Sequence, residues 1–246
     1  STIFETIDFN VTFFINQLRE YAYLTAGINF ELIDHRVDEK YNFYFEGGIK
    51  TFLKALNRNK GVIHPTVFYG GKVVDGIHVE AALQYNDTYN ENILCFANHL
   101  KNSEGGTHLT GFKTALTKTI NDYARSEGYL KQSDENLTGD DMREGLVTVV
   151  SVKMQEPQFE GQTKARLGSP EARTAVESVV NEALKNFLER NGADARRIIE
   201  KVLLAAKARK AAKAARETVL RKGVLEGLTL PGKLADCSSR NPEESE

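Results

Sequence analysis

Three clusters in this 246-residue chain have residue types and spacing that could do chemistry. The first is Pro157-Gln158-Phe159-Glu160-Gly161-Gln162-Thr163-Lys164. Gly161 frees the backbone. Gln162 and Lys164 stand two positions apart, so in an extended loop both side chains point one way. An amide and an ammonium together suit a terminal phosphate, each charged contact being worth roughly 1.5–3 kcal/mol. On spacing alone, a surface loop with a solvated lysine is the stronger account.

The second cluster runs from Gly105-Gly106-Thr107-His108 to Gly111-Phe112-Lys113. A glycine-rich turn feeding a helix N-terminus can bind anions. No Gly-Lys-Ser/Thr follows a four-residue spacer, however, so the phosphate-cradling P-loop is excluded. A tight turn made by two glycines, with Thr107 as N-cap, accounts for the pattern. His108 and the other histidines (His35, His64, His78, His99) lack metal-ligand spacing, and no metal site is expected.

The third cluster is a stretch from 194 to 222 with ten Lys or Arg against three acids, a local net of +7. It includes Lys201, Arg209, Lys213 and Arg216 among many alanines. A solvated Ala/Lys helix is the ordinary reading. Ten against three exceeds what solubility needs, and a track along nucleic-acid phosphates is a second reading. The whole chain hides this asymmetry, its net charge being −2.

The elements that must position these clusters follow from periodicity. Apolar residues at helical spacing predict a helix over 11–24, and strands follow at 28–32 and 41–45. A short helix is expected at 49–57, and strands at 76–85 and 91–98 pair antiparallel by loop length. A helix at 107–127 and a polar loop at 131–136 lead into a β-branched run, Leu146 to Val152, expected to be the central strand. Helices at 170–190 and 194–222 close the chain. Asp194 is read as the cap of the second helix and Gly223 as its stop. That second helix would be about 43 Å long. The fold class is α/β, a two-layer α+β sandwich with helices on one sheet face.

Cys95 sits in an apolar run and Cys237 in a polar tail, which gives no disulfide framework and fits a reducing, cytoplasmic setting. No apolar run approaches the ~20 residues that span a bilayer, so no membrane partner is expected. The chain opens on Ser1, and a piece of a longer polypeptide is expected.

Four stretches carry a family resemblance: Glu104 to Phe112, Asp140-Asp141-Met142-Arg143-Glu144-Gly145-Leu146, Pro157 to Leu167, and Leu230-Pro231-Gly232-Lys233-Leu234-Ala235-Asp236-Cys237. In this order they resemble the gyrase B family of bacterial type II DNA topoisomerases, over essentially the whole chain. The last stretch resembles gyrase more than topoisomerase IV. Other GHKL relatives, of mismatch-repair or Hsp90 type, lack it.

The resemblance implies an organisation. Residues 1–46 would end a GHKL-type ATPase domain. Residues 47–170 would be the body of a transducer domain like ribosomal protein five, and 171–229 its helices, including the long basic one. Residues 230–246 would link towards a TOPRIM domain. It also implies roles. Gln162 and Lys164 would contact the γ-phosphate of ATP, bound with Mg2+ mostly by other parts of the parent. Lys113 would face a DNA cavity, with Arg209, Lys213 and Arg216 as further DNA contacts. The implied activity is ATP-driven DNA strand passage and supercoiling. The implied partners are DNA, gyrase A and a second copy of gyrase B. An alternative is a DNA-channel scaffold with no catalytic role.

Overall fold

The computed structural model describes residues 9–226, with side chains up to Val219. Contacts divide the chain into two compact units, one ending at Leu203 and the other starting at Leu204. The first holds α1 (Val11–Leu24), β1 (Phe30–Asp34), β2 (Glu39–Phe43), α2 (Gly48–Leu56), β3 (Phe68–Val74), β4 (Ile77–Tyr85), β5 (Asn92–Ala97) and β6 (Leu100–Lys101). It continues with α3 (Thr107–Ser126), α4 (Gly139–Arg143), β7 (Leu146–Lys153), β8 (Phe159–Glu160), β9 (Arg166–Leu167) and α5 (Pro170–Arg190). The last helix, α6 (Gly192–Glu226), begins in the first unit and supplies the described part of the second.

The main sheet has the order β3-β4-β7-β5-β6. Its centre is β7, as the run Leu146 to Val152 predicts, and every residue of that run is buried. A strand covered on both faces needs no polar alternation, so it reads as a continuous β-branched run. The expected β4–β5 hairpin does not form. β7 inserts between them, antiparallel to β4 (Ala82 opposite Val149) and parallel to β5 (Cys95 opposite Val150). Loop length favours a local hairpin, but β7 buries apolar side chains on both flanks by lying between. The parallel β5–β7 pair needs a crossover, which α3 supplies. β3 escapes periodicity because Gly70 and Gly71 interrupt its apolar alternation.

Helices cover both sheet faces, which corrects the two-layer expectation to three layers. On one face Val147, Val149, Ala82 and Phe96 meet Ile49, Phe52 and Leu53 of α2 and Tyr23 and Leu24 of α1. Tyr23 stacks on Phe52 with centroids 4.6 Å apart. On the other face α5 packs on β3, Phe187 meeting the edge of Phe68 at 5.6 Å, and α3 packs along α5. Each such aromatic or aliphatic burial stabilises the fold by about 1.5–3 kcal/mol.

α6 also departs from expectation. It starts at Gly192, and the Asn191 carbonyl accepts from the Ala195 amide at 2.9 Å. Asp194 lies inside the first turn, and its carboxylate accepts from the Thr66 amide at 3.3 Å rather than capping the helix. The helix continues through Gly223 as far as the described residues reach, at Glu226, since one glycine costs only about 1 kcal/mol in a helix. The polar loop after α3 is tied down by Arg125, whose guanidinium donates to the carbonyls of Lys131 and Asp134.

Candidate functional site

The segment around Gln162 folds as a hairpin. Phe159 pairs with Leu167 and Glu160 with Arg166, antiparallel. Gln162 and Thr163 form its turn, between Gly161 at φ +80 and Lys164 at φ +54. The expected extended loop is therefore replaced by a tight tip, in which side chains two positions apart do not share a face as they would in a strand. The tip still presents chemistry. Gln162, Thr163 and Lys164 are all exposed. The Lys164 ammonium lies 5.7 Å from the centroid of the Phe159 ring. Among the described residues no carboxylate pairs with Lys164; the neighbouring Glu160 pairs with Arg166 at 3.2 Å. A cation and an amide thus stand at a hairpin tip, open to an anion.

The hairpin is fastened to the turn before α3. The Glu104 amide donates to the Ala165 carbonyl at 3.0 Å, and the Leu167 amide to the Gly105 carbonyl at 3.0 Å. The Asn102 side-chain amide donates to the Lys164 carbonyl at 2.8 Å. Gly106, at φ +138, approaches the Leu167 backbone so closely that a Cβ would overlap it. This is the structural reason for the glycine pair. Thr107 is not the N-cap: Gly106 holds that position, and the Thr107 hydroxyl donates to the Ser169 carbonyl at 2.6 Å.

His108 follows, fully buried, with no hydrogen-bond partner for either ring nitrogen among the described residues. Burial pushes its pKa down to about 4, so it is neutral at pH 7. Lys113, half-buried on α3, lines a cleft of about 390 Å³ with Asn102, Glu104 and Cys95. Cys95 is a core residue, and burial pushes its thiol up to about 12, which makes it a poor nucleophile.

The basic stretch divides. Lys201 lies in the first unit with its side chain 10% exposed, 3.3 Å from the Glu144 carboxylate. It also donates to the Thr88 carbonyl at 3.1 Å and faces the Tyr89 ring at 5.0 Å. Its charge is used internally, which removes it from the expected phosphate track. Arg196 is likewise paired, with Glu200 at 2.8 Å. Arg209, Lys213 and Arg216 lie in the second unit, all exposed on α6. Their spacing of four and three places them on one helix face.

Sequence reasoning missed Asn102 and the internal role of Lys201. An Asn next to Ser-Glu-Gly-Gly reads as an ordinary turn residue, and one Lys in a run of ten has no distinguishing signal. Among the described residues no group of three His, Cys, Asp or Glu side chains could hold a metal ion. No helix among them is long and apolar enough to cross a membrane. The stretch Leu230 to Cys237 lies outside the described residues.

The mixed α/β architecture, a sheet covered by helices, is that of solved gyrase B ATPase regions. The 43K ATPase domain of Thermus thermophilus gyrase B, in complex with an aminocoumarin, superposes with a TM-score of 0.80 at 40% identity, over 88% of this chain and 58% of that one. The topoisomerase IV ATP-binding domain of Francisella tularensis gives 0.72 at 25% identity, over 85% of this chain and 56% of that one. The DNA gyrase B family profile matches residues 48–218. The DNA gyrase B protein of Clostridium acetobutylicum is 53% identical over 99% of this chain, which spans 38% of that relative. The chain belongs to the DNA gyrase B family.

Proposed function

We propose that this chain is the transducer segment of a gyrase B protein, the component of a type II DNA topoisomerase that couples ATP hydrolysis to DNA strand passage and negative supercoiling. The observation that carries the reading is the exposed tip at Gln162 and Lys164, with no carboxylate neutralising Lys164 among the described residues. Residues 1–46 would close a GHKL-type ATPase domain and 47–170 would form the ribosomal-protein-five-like transducer body. Residues 171–229 would be its helices and 230–246 the link towards a TOPRIM domain.

ATP would supply the γ-phosphate, and Mg2+ would be held by residues of the parent outside this chain. The Lys164 ammonium and the Gln162 amide would bind the γ-phosphate oxygens. That contact lasts only while the γ-phosphate is attached, so its loss would free the hairpin and let two rigid bodies rotate. Lys164 would also stabilise charge growing on the transferred phosphoryl oxygens. In the full-length protein, Lys164→Ala should lower ATP turnover at least tenfold while nucleotide affinity changes less. Turnover at the wild-type level would remove the phosphate-contact role.

Contact with DNA is a second part of the reading. Arg209, Lys213 and Arg216 share one exposed helix face, and Lys113 offers a separate cation on α3. The partners would be DNA, gyrase A and a second copy of gyrase B. A scaffold that only lines a DNA channel is the competing account, and the Lys164 variant separates the two.

A further inference from the structure

We infer that Asn102 is a positioning residue for Lys164, setting the direction of the phosphate-contacting side chain through its main chain; this rests on the function proposed above. Asn102 is 3% exposed, and its side-chain nitrogen donates to the Lys164 carbonyl at 2.8 Å. Its own backbone is fixed on both sides: the amide donates to the Cys95 carbonyl at 2.8 Å, and the carbonyl accepts from the Gly105 amide at 3.0 Å. The donor is therefore anchored to β5 through Cys95.

The acceptor needs such an anchor. Lys164 is a non-glycine residue at φ +54, a conformation that persists only where the surroundings over-determine it. Its own amide bond to the Gly161 carbonyl is long, at 3.4 Å. Without the Asn102 donor, the backbone at 164 is free to relax towards negative φ, which swings the ammonium away from its present direction. Among the described residues Asn102 makes no other side-chain hydrogen bond. Its one side-chain bond goes to the residue that reads the phosphate.

The bond has a mechanical corollary. Asn102 belongs to the turn that leads into α3 and borders the Lys113 cleft. With the Glu104 and Leu167 amide bonds, it makes the hairpin tip move with the root of α3 rather than as a free loop.

The test uses the full-length protein in complex with its gyrase A partner. Asn102→Asp keeps the shape and removes the donor. Without nucleotide, hydrogen–deuterium exchange of residues 161–166 should rise about tenfold, with α3 and β7 unchanged. ATP turnover should fall about tenfold in kcat, with KM for ATP altered less than threefold. Exchange that spreads into α3 or β7 would make Asn102 a general structural residue and overturn the inference. So would unchanged exchange at 161–166, or unchanged kcat in Asn102→Asp where Lys164→Ala is impaired. If Lys164→Ala itself retains full turnover, the phosphate-contact reading falls first and this inference with it.

Discussion

Gly111 on α3 faces the main-chain carbonyl of Arg173 on α5 with no space between them: a Cβ at position 111 would overlap that oxygen. Two effects oppose each other on substitution. Alanine is the better helix former by about 1 kcal/mol. Forcing a methyl group against a neighbouring helix costs about 1–3 kcal/mol, and here the neighbour is backbone that cannot rotate away. The contact is with backbone, so the clash outweighs the propensity gain and Gly111→Ala should lower stability, by up to about 2 kcal/mol. Urea unfolding is the measurement, with a reduced midpoint and an unchanged slope. A midpoint at or above wild type would show that α3 and α5 shift apart freely.

Lys201 offers a second prediction. Its ammonium is held by Glu144, the Thr88 carbonyl and the Tyr89 ring, with little access to water. Lys201→Met keeps the stem and removes the charge, leaving Glu144 and the Thr88 carbonyl without their partner. The expected loss is about 2 kcal/mol, since an orphaned group in a partly buried site bears its desolvation penalty. Exposed surface pairs are screened by water and contribute little, so Arg196→Met at the exposed Glu200 pair is the control. Equal effects from the two variants would contradict the internal role of Lys201.

His108 makes stability depend on pH. Its folded pKa of about 4 lies below the value near 6.5 of an unfolded histidine. Between those values the unfolded chain binds the extra proton and the native state does not. Stability is therefore complete above pH 6.5 and declines as pH falls towards 4, by about 3 kcal/mol from this group. His108→Phe should flatten the change in unfolding midpoint between pH 7 and pH 4.5. A slope identical to wild type would mean that His108 finds a proton-accepting partner in solution.

The α6 face carries a prediction about nucleic acid. Replacing Arg209, Lys213 and Arg216 together with Gln in the full-length protein should reduce the salt dependence of DNA binding by up to about three units of slope. Equilibrium binding across a salt series reads this directly. A slope that does not move would leave the helix as a connector only.

Much of this protein is legible in its residues. The Leu146 to Val152 run identifies the central strand because burial on both faces demands an uninterrupted apolar sequence. The helices at 107–126 and 170–190 follow from stripes of apolar residues, because each buries one side only. The family is legible too, since its motifs are local strings of residues. What the sequence does not reveal depends on contacts between distant positions. β5 pairs with β7 rather than β4 because the sheet buries more by that order, a non-local choice that loop length cannot anticipate. β3 is hidden by Gly70 and Gly71, whose place in the sheet is decided by partners. Gln162 and Lys164 are recognisable as residue types, but the left-handed backbone of Lys164 and its bond to Asn102, 62 positions away, exist only in the folded chain. Residue types therefore determine what chemistry is available here, and packing decides which way it is aimed, because the donors and acceptors that fix a backbone come from remote segments.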